Sequence, residues 1–166
     1  MKKKLLLLVT FVVASIAAAY AQPRAIGIRQ GYGTEVSYEH GLGNNMLSID
    51  FGIVGYAGLE AAVTYDWIDP FGATVPWSHK GEWHWYMGVG GAVAWYWPTL
   101  PALNMSVGAA GRFGIEYDFW FPLQLSFDWR PVIGPGFYAY GGEGGAGFNT
   151  GGLYAGAICL GVRYKF

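Results

Sequence analysis

The sequence predicts an all-β protein whose one domain folds as a single eight-stranded antiparallel up-and-down transmembrane β-barrel. Three observations lead to this fold class. Apolar and polar residues alternate with a period of two along most of the chain, the charged residues of each predicted strand share one face, and aromatic residues collect at strand ends. A period of two indicates strands, because successive side chains of a strand point to opposite sides of the sheet.

The first 21 residues have the pattern of a secretory signal peptide. MKKK is a basic start, LLLLVTFVVASIAAA is an apolar core, and Ala19-Tyr20-Ala21 matches the small-x-small pattern that precedes a signal peptidase cut. The apolar core is shorter than the ~20 residues that a membrane-spanning helix needs. We therefore expect residues 1–21 to be cleaved and residues 22–166 to form the barrel domain.

Composition excludes several classes of protein. The chain has 10 basic and 11 acidic residues, and removal of Lys2, Lys3 and Lys4 leaves a formal charge of −4. A nucleic-acid partner is not expected, because it calls for a basic patch. Charged residues are only 13% of the chain and aromatic residues 18%, which is unusual for a soluble domain. The apolar runs after the signal are too short for helical membrane spans, and the single Cys159 leaves no internal disulfide.

The alternation divides the mature chain into eight strands, of which the seventh has the weakest pattern. The predicted strands are Ala25–His40, Asn45–Val54, Gly58–Ile68, Glu82–Trp97, Leu103–Phe119, Pro122–Ile133, Gly136–Gly141 and Gly152–Phe166. The short connections GLGNN, GYAG, PTLPAL, FWFP and IGPG contain turn-forming residues. Two connections are longer, IDPFGATVPWSHKG and GGEGGAGFNTGG, and both are interpreted as surface loops.

The charged face is predicted to line the inside of the barrel. Within each strand the charged residues share parity, and the resulting set is Arg29, Glu35, Glu39, Asp50, Glu60, Asp66, Glu82, His84, Arg112, Glu116, Asp118, Asp128, Arg130, Arg163 and Lys165. Glycines such as Gly88 and Gly114 share this phase. Glycine is of little use on a face washed by solvent, but inside a narrow barrel it leaves room for large polar side chains. We therefore expect a packed, structural network of ion pairs and hydrogen bonds, with some carboxylates sharing protons or contacting water.

The opposite face is apolar and rich in aromatic residues, and two architectures can carry it. A soluble barrel turns such a face inward around a core or a ligand, whereas a membrane barrel turns it outward to lipid. Strands of 9–11 residues span a membrane, and soluble strands are usually ~5 or 6 residues long. Several of the predicted strands are long, which favours the membrane barrel.

The last seven residues, LGVRYKF, alternate to the very end of the chain. This segment resembles the terminal strand of Gram-negative outer-membrane barrels, and the mature chain resembles small eight-stranded barrels of the OmpX/OmpA type through GYGTEVSYEHGLG, EYDFWFPLQLSFDWRP and LGVRYKF. The resemblance implies an outer-membrane location, contact with outer-membrane lipid and lipopolysaccharide, and recognition of Tyr164 and Phe166 by the barrel-assembly machinery. Most members of that family lack an assigned activity.

The sequence favours a structural or interaction role: envelope integrity, surface contact, or an accessory subunit, without a channel wide enough for solutes. Neither an enzyme nor a cofactor is expected. The loops at 69–81 and 141–152 are candidate sites for a protein partner. Proton or ion conduction through the interior is an alternative to the structural interpretation of the network.

Specific residues suggest two other functions. A lipid-modifying enzyme is the main alternative, with Ser78 and His79 as its candidates, although the histidines do not match the lipid A deacylase or palmitoyltransferase patterns. A soluble periplasmic lipid-binding barrel is the other. A metal site from His79, Glu82 and His84 lacks a suitable spacing. GGEGGAGFNTGG lacks the Lys-Ser/Thr ending of a phosphate loop.

Overall fold

The computed structural model describes residues 24–55, 58–69, 80–97, 103–140, 143–149 and 157–166. The predicted signal peptide, Ser78, His79 and most of the predicted loop at 69–81 lie outside these residues. Within them, no helix has the length and apolar character needed to cross a membrane.

Ten strand segments form one sheet, in which every neighbouring pair is antiparallel. They are β1 (Arg24–Gln30), β2 (Thr34–Leu42), β3 (Asn45–Val54), β4 (Gly58–Ile68), β5 (Gly81–Tyr96), β6 (Leu103–Phe119), β7 (Leu123–Trp129), β8 (Val132–Tyr140), β9 (Glu143–Asn149) and β10 (Ile158–Lys165). Each segment from β1 to β6 pairs with the next along the chain, and β10 pairs with both β7 and β1. The sheet therefore closes on itself.

The ten segments make eight strands of the barrel. β7 and β8 lie on β6 in the same register on both sides of the break, in which Phe113 is opposite Trp129 and Ala110 is opposite Val132, and the register shifts only between Leu103 and Met105. The short break at Arg130 and Pro131 thus interrupts a single long strand. β9 and β10 follow one another along the other side of that strand, on β8 and β7 respectively. The prediction of an all-β, eight-stranded, closed up-and-down barrel is confirmed.

The first predicted strand, Ala25–His40, is wrong in its extent. The structure divides it into β1 and β2, which turn at Gly31–Gly33, where the N–H of Gly31 donates a 2.9 Å hydrogen bond to the carbonyl of Gly33. Arg29 lies directly opposite Glu35 across this hairpin. Because both residues have odd numbers, the charged phase continues unchanged through the turn, and alternation alone does not reveal it.

The end of the chain also differs from the predicted strands. The separate strands Pro122–Ile133 and Gly136–Gly141 are one interrupted strand, and the predicted turn IGPG lies within β8. The predicted strand Gly152–Phe166 is described as a strand only from Ile158, and β9 occupies Glu143–Asn149, within the predicted loop GGEGGAGFNTGG. Its glycines give no alternating pattern, but its backbone pairs with β8 along the whole segment.

The distribution of side chains is the reverse of that in a soluble globular domain. Among the described residues, buried side chains are mostly polar or charged, and the buried apolar cluster consists of the small residues Ala62, Ala92 and Ala110 with Val132 packed against them. Large apolar residues are exposed around the barrel, as at Ile28, Val36, Phe51, Val63, Val89, Val107, Phe127, Leu160 and Val162. The predicted charged phase therefore faces inward and the apolar phase outward.

The two ends of the barrel have different connections. One end, which we call the terminus end, carries Arg24 and Phe166. It also carries the tight turn at Gly43 and both flanks of the 69–80 connection. Gly43 has a φ of 70°, in the left-handed region that favours glycine. The far end carries the Gly31–Gly33 turn and the connections from β3 to β4, from β5 to β6 and from β8 to β9.

Candidate functional site

Four arginines from different strands organise the charged interior. Arg29 on β1 lies opposite Glu35 on β2, and its Nη1 is 2.7 Å from a Glu35 carboxylate oxygen. The same guanidinium reaches Asp128 on β7, with Nε donating at 3.1 Å and Nη2 also in contact. Arg29 is fully buried, so its charge is stabilised by these carboxylates rather than by water.

Arg130 joins the break between β7 and β8 to three other strands. Its guanidinium contacts Glu35 on β2 at 2.5 Å, Asp50 on β3 at 2.6 Å, and Glu60 on β4. Its backbone N–H donates to the carbonyl of Ala157 at 2.9 Å. One side chain thus connects strands across the barrel where the ladder is interrupted.

Arg112 lies at the centre of the network. Its Nη1 is 3.2 Å from Asp66, and its Nη2 is 3.3 Å from Asp128 and 3.5 Å from Glu39. The guanidinium carbon is 4.9 Å from the centre of the Tyr86 ring, a cation–π distance. Arg112 is 3% exposed and Tyr86 fully buried, so this ring and these carboxylates take the place of solvent.

Arg163 on β10 contacts more hydroxyl groups than carboxylates. Its Nη2 is 3.2 Å from Glu39, its Nη1 donates to the Ser126 hydroxyl at 2.7 Å, and its Nε donates to the Ser37 hydroxyl at 3.0 Å. Ser37 in turn donates to Asp50 at 2.5 Å. A chain of hydrogen bonds therefore links Arg163 to the carboxylates around Arg130.

The described interior has fewer basic than acidic side chains. The four arginines share the interior with seven carboxylates: Glu35, Glu39, Asp50, Glu60, Asp66, Glu116 and Asp128. Glu35, Glu39 and Asp128 each contact two arginines, which distributes the positive charge. Glu116 is the exception. It is 3% exposed, accepts a hydrogen bond from Gln124 Nε2 at 3.2 Å, and has no basic side chain within 4.0 Å in the described part of the chain.

Glycines in the charged phase make room for these side chains. A Cβ on Gly88 would lie 1.8 Å from the Asp66 Oδ1 atom, and one on Gly114 would lie 2.6 Å from the Tyr86 hydroxyl. Outward-facing Gly91, on the same strand as Gly88, has no such neighbour, since a Cβ there would lie 3.7 Å from the nearest atom. The absence of a side chain matters at the inward positions.

The terminus end of the interior has a different set of contacts. His84 Nδ1 lies 2.6 Å from Asp69 Oδ2, and the other Asp69 oxygen accepts the Trp85 backbone N–H at 3.1 Å. Asp69 holds a φ of 44°, which is uncommon for a residue other than glycine. The Glu82 side chain is 78% exposed, so its predicted place inside the barrel is wrong, because β5 is at its end there and Glu82 lies at the mouth.

The predicted network residues divide between the interior and this mouth. Those placed inside are Arg29, Glu35, Glu39, Asp50, Glu60, Asp66, Arg112, Glu116, Asp128, Arg130 and Arg163, and those at the mouth are Glu82, His84, Asp118 and Lys165. At the mouth, Lys165 contacts Asp118. Residues that the charge pattern missed are Ser37, Ser48, Thr64, Asp69, Tyr86, Gln124 and Ser126. All but Asp69 lie on the same face of their strands as the charged residues, so parity could have assigned them to the interior.

Catalytic and metal chemistry have little support among the described residues. Asp69 and His84 form a carboxylate–imidazole pair, which orients the base of many hydrolases. Among the described residues, no serine hydroxyl and no cysteine thiol donates to His84. Ser78 and His79 lie outside the described residues. No group of three His, Cys, Asp or Glu residues within the described ranges is placed to hold a metal ion.

Tyr164 and Phe166 lie on the outside at the terminus end. Both are exposed, and their rings stack with centroids 6.4 Å apart and an angle of 16° between planes. β10 is paired on both sides, with Lys165 opposite Ala25 and Tyr164 opposite Leu123. The last strand is thus held by two neighbours almost to the end of the chain.

The fold and the site define a closed eight-stranded β-barrel with a charged, buried interior and an apolar exterior. Comparison with known proteins adds no relative: no family model, no curated protein and no solved structure matches the chain.

Proposed function

We propose that the protein is an integral outer-membrane β-barrel of a Gram-negative envelope, with a structural or interaction role and without a channel for solutes. The observation that carries this proposal is the reversed distribution of side chains, with arginines and carboxylates inside and large apolar residues outside. In a bilayer the apolar exterior contacts lipid instead of water, and the charged side chains stay inside the barrel, away from the lipid.

The exposed apolar face supports a lipid environment by its extent. Removing apolar surface from water is worth about 25 cal/mol per Å², and soluble monomers rarely expose contiguous apolar patches larger than a few hundred Å². Here exposed apolar side chains occur on strands all around the barrel. A soluble lipid-binding barrel requires the opposite arrangement, with its apolar face inside.

The order of residue types along the exterior also supports this proposal. Exposed aromatic residues occur at the terminus end, at Trp67, Trp120, Phe121, Tyr164 and Phe166, and at the far end, at Tyr32, Trp95, Trp97 and Tyr138. The band between them is mainly aliphatic, with Val63, Val89, Val93 and Val107, and it also contains Phe51 and Phe127. Aromatic girdles around an aliphatic band are typical of membrane barrels.

A structural interior supports the absence of a solute channel. Side chains of Arg29, Arg112 and Arg130 cross from one wall to contact carboxylates on others. Eight-stranded barrels have an interior just wide enough for such side chains to fill. Planar-bilayer recordings test the conducting alternative, and unit conductance above that of the bilayer alone would support it.

The topology refines the expected partners. In the outer-membrane barrels that the sequence resembles, the final Phe lies at the inner interface. By that likeness the terminus end faces the periplasm, and the connection between Asp69 and Lys80 does too. Contact with lipopolysaccharide would then fall to the far end, near residues 141–152, and a partner at 69–81 would be periplasmic.

The terminal strand supports recognition by the barrel-assembly machinery through Tyr164 and Phe166. We expect Phe166→Ala to lower the amount of folded barrel in the outer membrane several-fold, while Phe121→Ala, also an exposed aromatic at this end, leaves it near that of the wild type. Quantitative blotting of outer-membrane fractions measures this. Equal yields of the two variants would contradict the assignment.

Expression of the full chain with its signal, followed by envelope fractionation and electrophoresis of boiled and unboiled samples, tests the proposal as a whole. We expect recovery in the outer membrane and a mobility shift on boiling. Recovery in the soluble periplasm, with no shift, would refute it.

A lipid-modifying enzyme is a second candidate because Asp69 and His84 form an acid–base pair at the mouth. Because this mouth would face the periplasm, mass spectra of the membrane phospholipids from cells with the wild type and with His84→Ala test it. A mass change that requires His84 would establish this activity, and identical spectra with and without expression of the wild type would remove it for these lipids.

A further inference from the structure

A cavity of about 330 Å³ opens at the terminus end of the barrel. Its lining residues are Lys80, Gly81, Glu82, Asp118, Phe119, Trp120 and Lys165. The rings of Phe119, Trp120 and Phe121 contact one another there, with centroids 5.0 to 6.0 Å apart. In a membrane protein such aromatic clusters lie at the level of the headgroups. The cavity is therefore within reach of headgroups rather than acyl chains.

Two carboxylates face each other in this cavity. Glu82 on β5 is directly opposite Asp118 on β6, and like charges in this position destabilise a sheet. Lys165 contacts Oδ2 of Asp118, and the Oδ1 atom of Asp118 is buried, so Glu82 is the exposed carboxylate of the pair. Glu82 contacts only the His84 ring, at 3.5 Å, among described basic groups. This side of the cavity is suited to a cation that carries N–H donors.

A basic side chain also lines the cavity. The Lys80 ammonium is 5.9 Å from the centre of the Trp120 ring, and no described carboxylate lies within 4.0 Å of it. Lys80 and Glu82 are two positions apart, about 7 Å along an extended chain. Both side chains are long enough to reach one ligand with a negative and a positive group joined by a short linker.

We propose that this cavity binds the phosphoethanolamine headgroup of a membrane phospholipid. The phosphate would contact Lys80, and the primary ammonium would donate to Glu82. A choline headgroup has no N–H to donate, and a glycerol headgroup has no positive charge. The site therefore distinguishes ethanolamine lipids from both. This inference rests on the proposed membrane location of the barrel.

Titration of the micelle-bound, isotopically labelled protein with short-chain phospholipids, followed by amide NMR shifts, tests the proposal. We expect the amides of Gly81, Glu82 and Trp120 to shift with the ethanolamine lipid at about fivefold lower concentration than with the choline or glycerol lipid, an effect of one exposed ion pair. Soluble glycerophosphoethanolamine should bind more weakly, because it lacks the acyl chains.

Variants at the two charges locate the preference. Glu82→Gln should remove the preference for ethanolamine over choline, and Lys80→Gln should weaken binding of all three lipids. Thr34→Ala, an exposed position at the far end, serves as the control and should bind like the wild type. Equal binding of the ethanolamine and choline lipids by the wild type, or a preference that survives Glu82→Gln, would overturn the proposal. Equally tight binding of the soluble headgroup would overturn the lipid as its source.

The same samples separate this inference from the proposed function. A paramagnetic label on the detergent tails should broaden the amide of Val89, which lies in the apolar exterior. Broadening at Val89 without a headgroup preference refutes only the headgroup site. A lack of broadening across the exterior refutes the membrane location.

Discussion

The two halves of the barrel interior contain the same kinds of charged side chain in a different balance. Towards the far end, the Arg130 guanidinium contacts three carboxylates, and one of them, Glu35, also contacts Arg29. Towards the terminus end, Glu116 accepts from the Gln124 amide and contacts no basic side chain among the described residues, and Glu82 extends into solvent. In the first half each buried carboxylate contacts an arginine, and the ion pairs join strands. In the second half the buried carboxylate of Glu116 contacts no described arginine or lysine.

Removing Arg130 should lower the free energy of unfolding most, because three carboxylates share this one cation. Arg130→Ala leaves three carboxylates without their common cation, and breaking a buried ion pair from one side costs about 3–5 kcal/mol. Urea unfolding of the protein in lipid vesicles measures this loss. A change below about 1 kcal/mol would mean that water, rather than the network, stabilises these carboxylates.

Adding one methyl group inside the barrel should have a smaller effect. Gly88→Ala places a Cβ where Asp66 Oδ1 now lies, and overpacking of this kind costs about 1–3 kcal/mol. Gly91→Ala, on the same strand but facing outward, is the matched control and should change stability by less than about 0.5 kcal/mol. Equal losses in the two variants would show that strand propensity, not the interior network, sets the requirement for glycine.

Glu116→Gln should change the free energy of unfolding least, and it tests the half of the interior towards the terminus end. The substitution keeps the shape of the side chain and removes a buried charge that no described arginine or lysine contacts. We expect the free energy of unfolding to stay within about 0.5 kcal/mol of the wild type or to rise. A loss comparable to that of Arg130→Ala would show that the two halves do not differ.

The sequence predicted the features that repeat along strands and missed those that depend on a single residue. Alternation predicted the inward phase, because one buried face requires a period of two. The predicted number of strands agrees with the structure because two errors cancel: the first predicted strand is two strands, and the sixth and seventh are one. The turn at Gly31–Gly33 was missed because the paired residues across it have the same parity. β9 was missed because Gly144, Gly145 and Gly147 carry no side-chain pattern, although their backbone pairs with β8.

The candidate site shows the same limit. Membership of the charged face was readable from parity, whereas the partners of each arginine were not, because they lie on strands far apart in the chain. Asp128 reaches Arg29 from 99 positions away. The sequence pattern places Asp69 in a loop, and the contact of its carboxylate with His84 is visible only in the folded chain.

The most direct test of the central claim is the stability of Val89→Arg in lipid vesicles. Val89 is 58% exposed in the middle of the apolar exterior. If this face contacts lipid, arginine there should destabilise the barrel by about 2–4 kcal/mol, while Thr34→Arg at the far-end turn should change stability by less than about 0.5 kcal/mol. If Val89→Arg is as stable as Thr34→Arg, the exterior faces water, and the protein is not a membrane barrel.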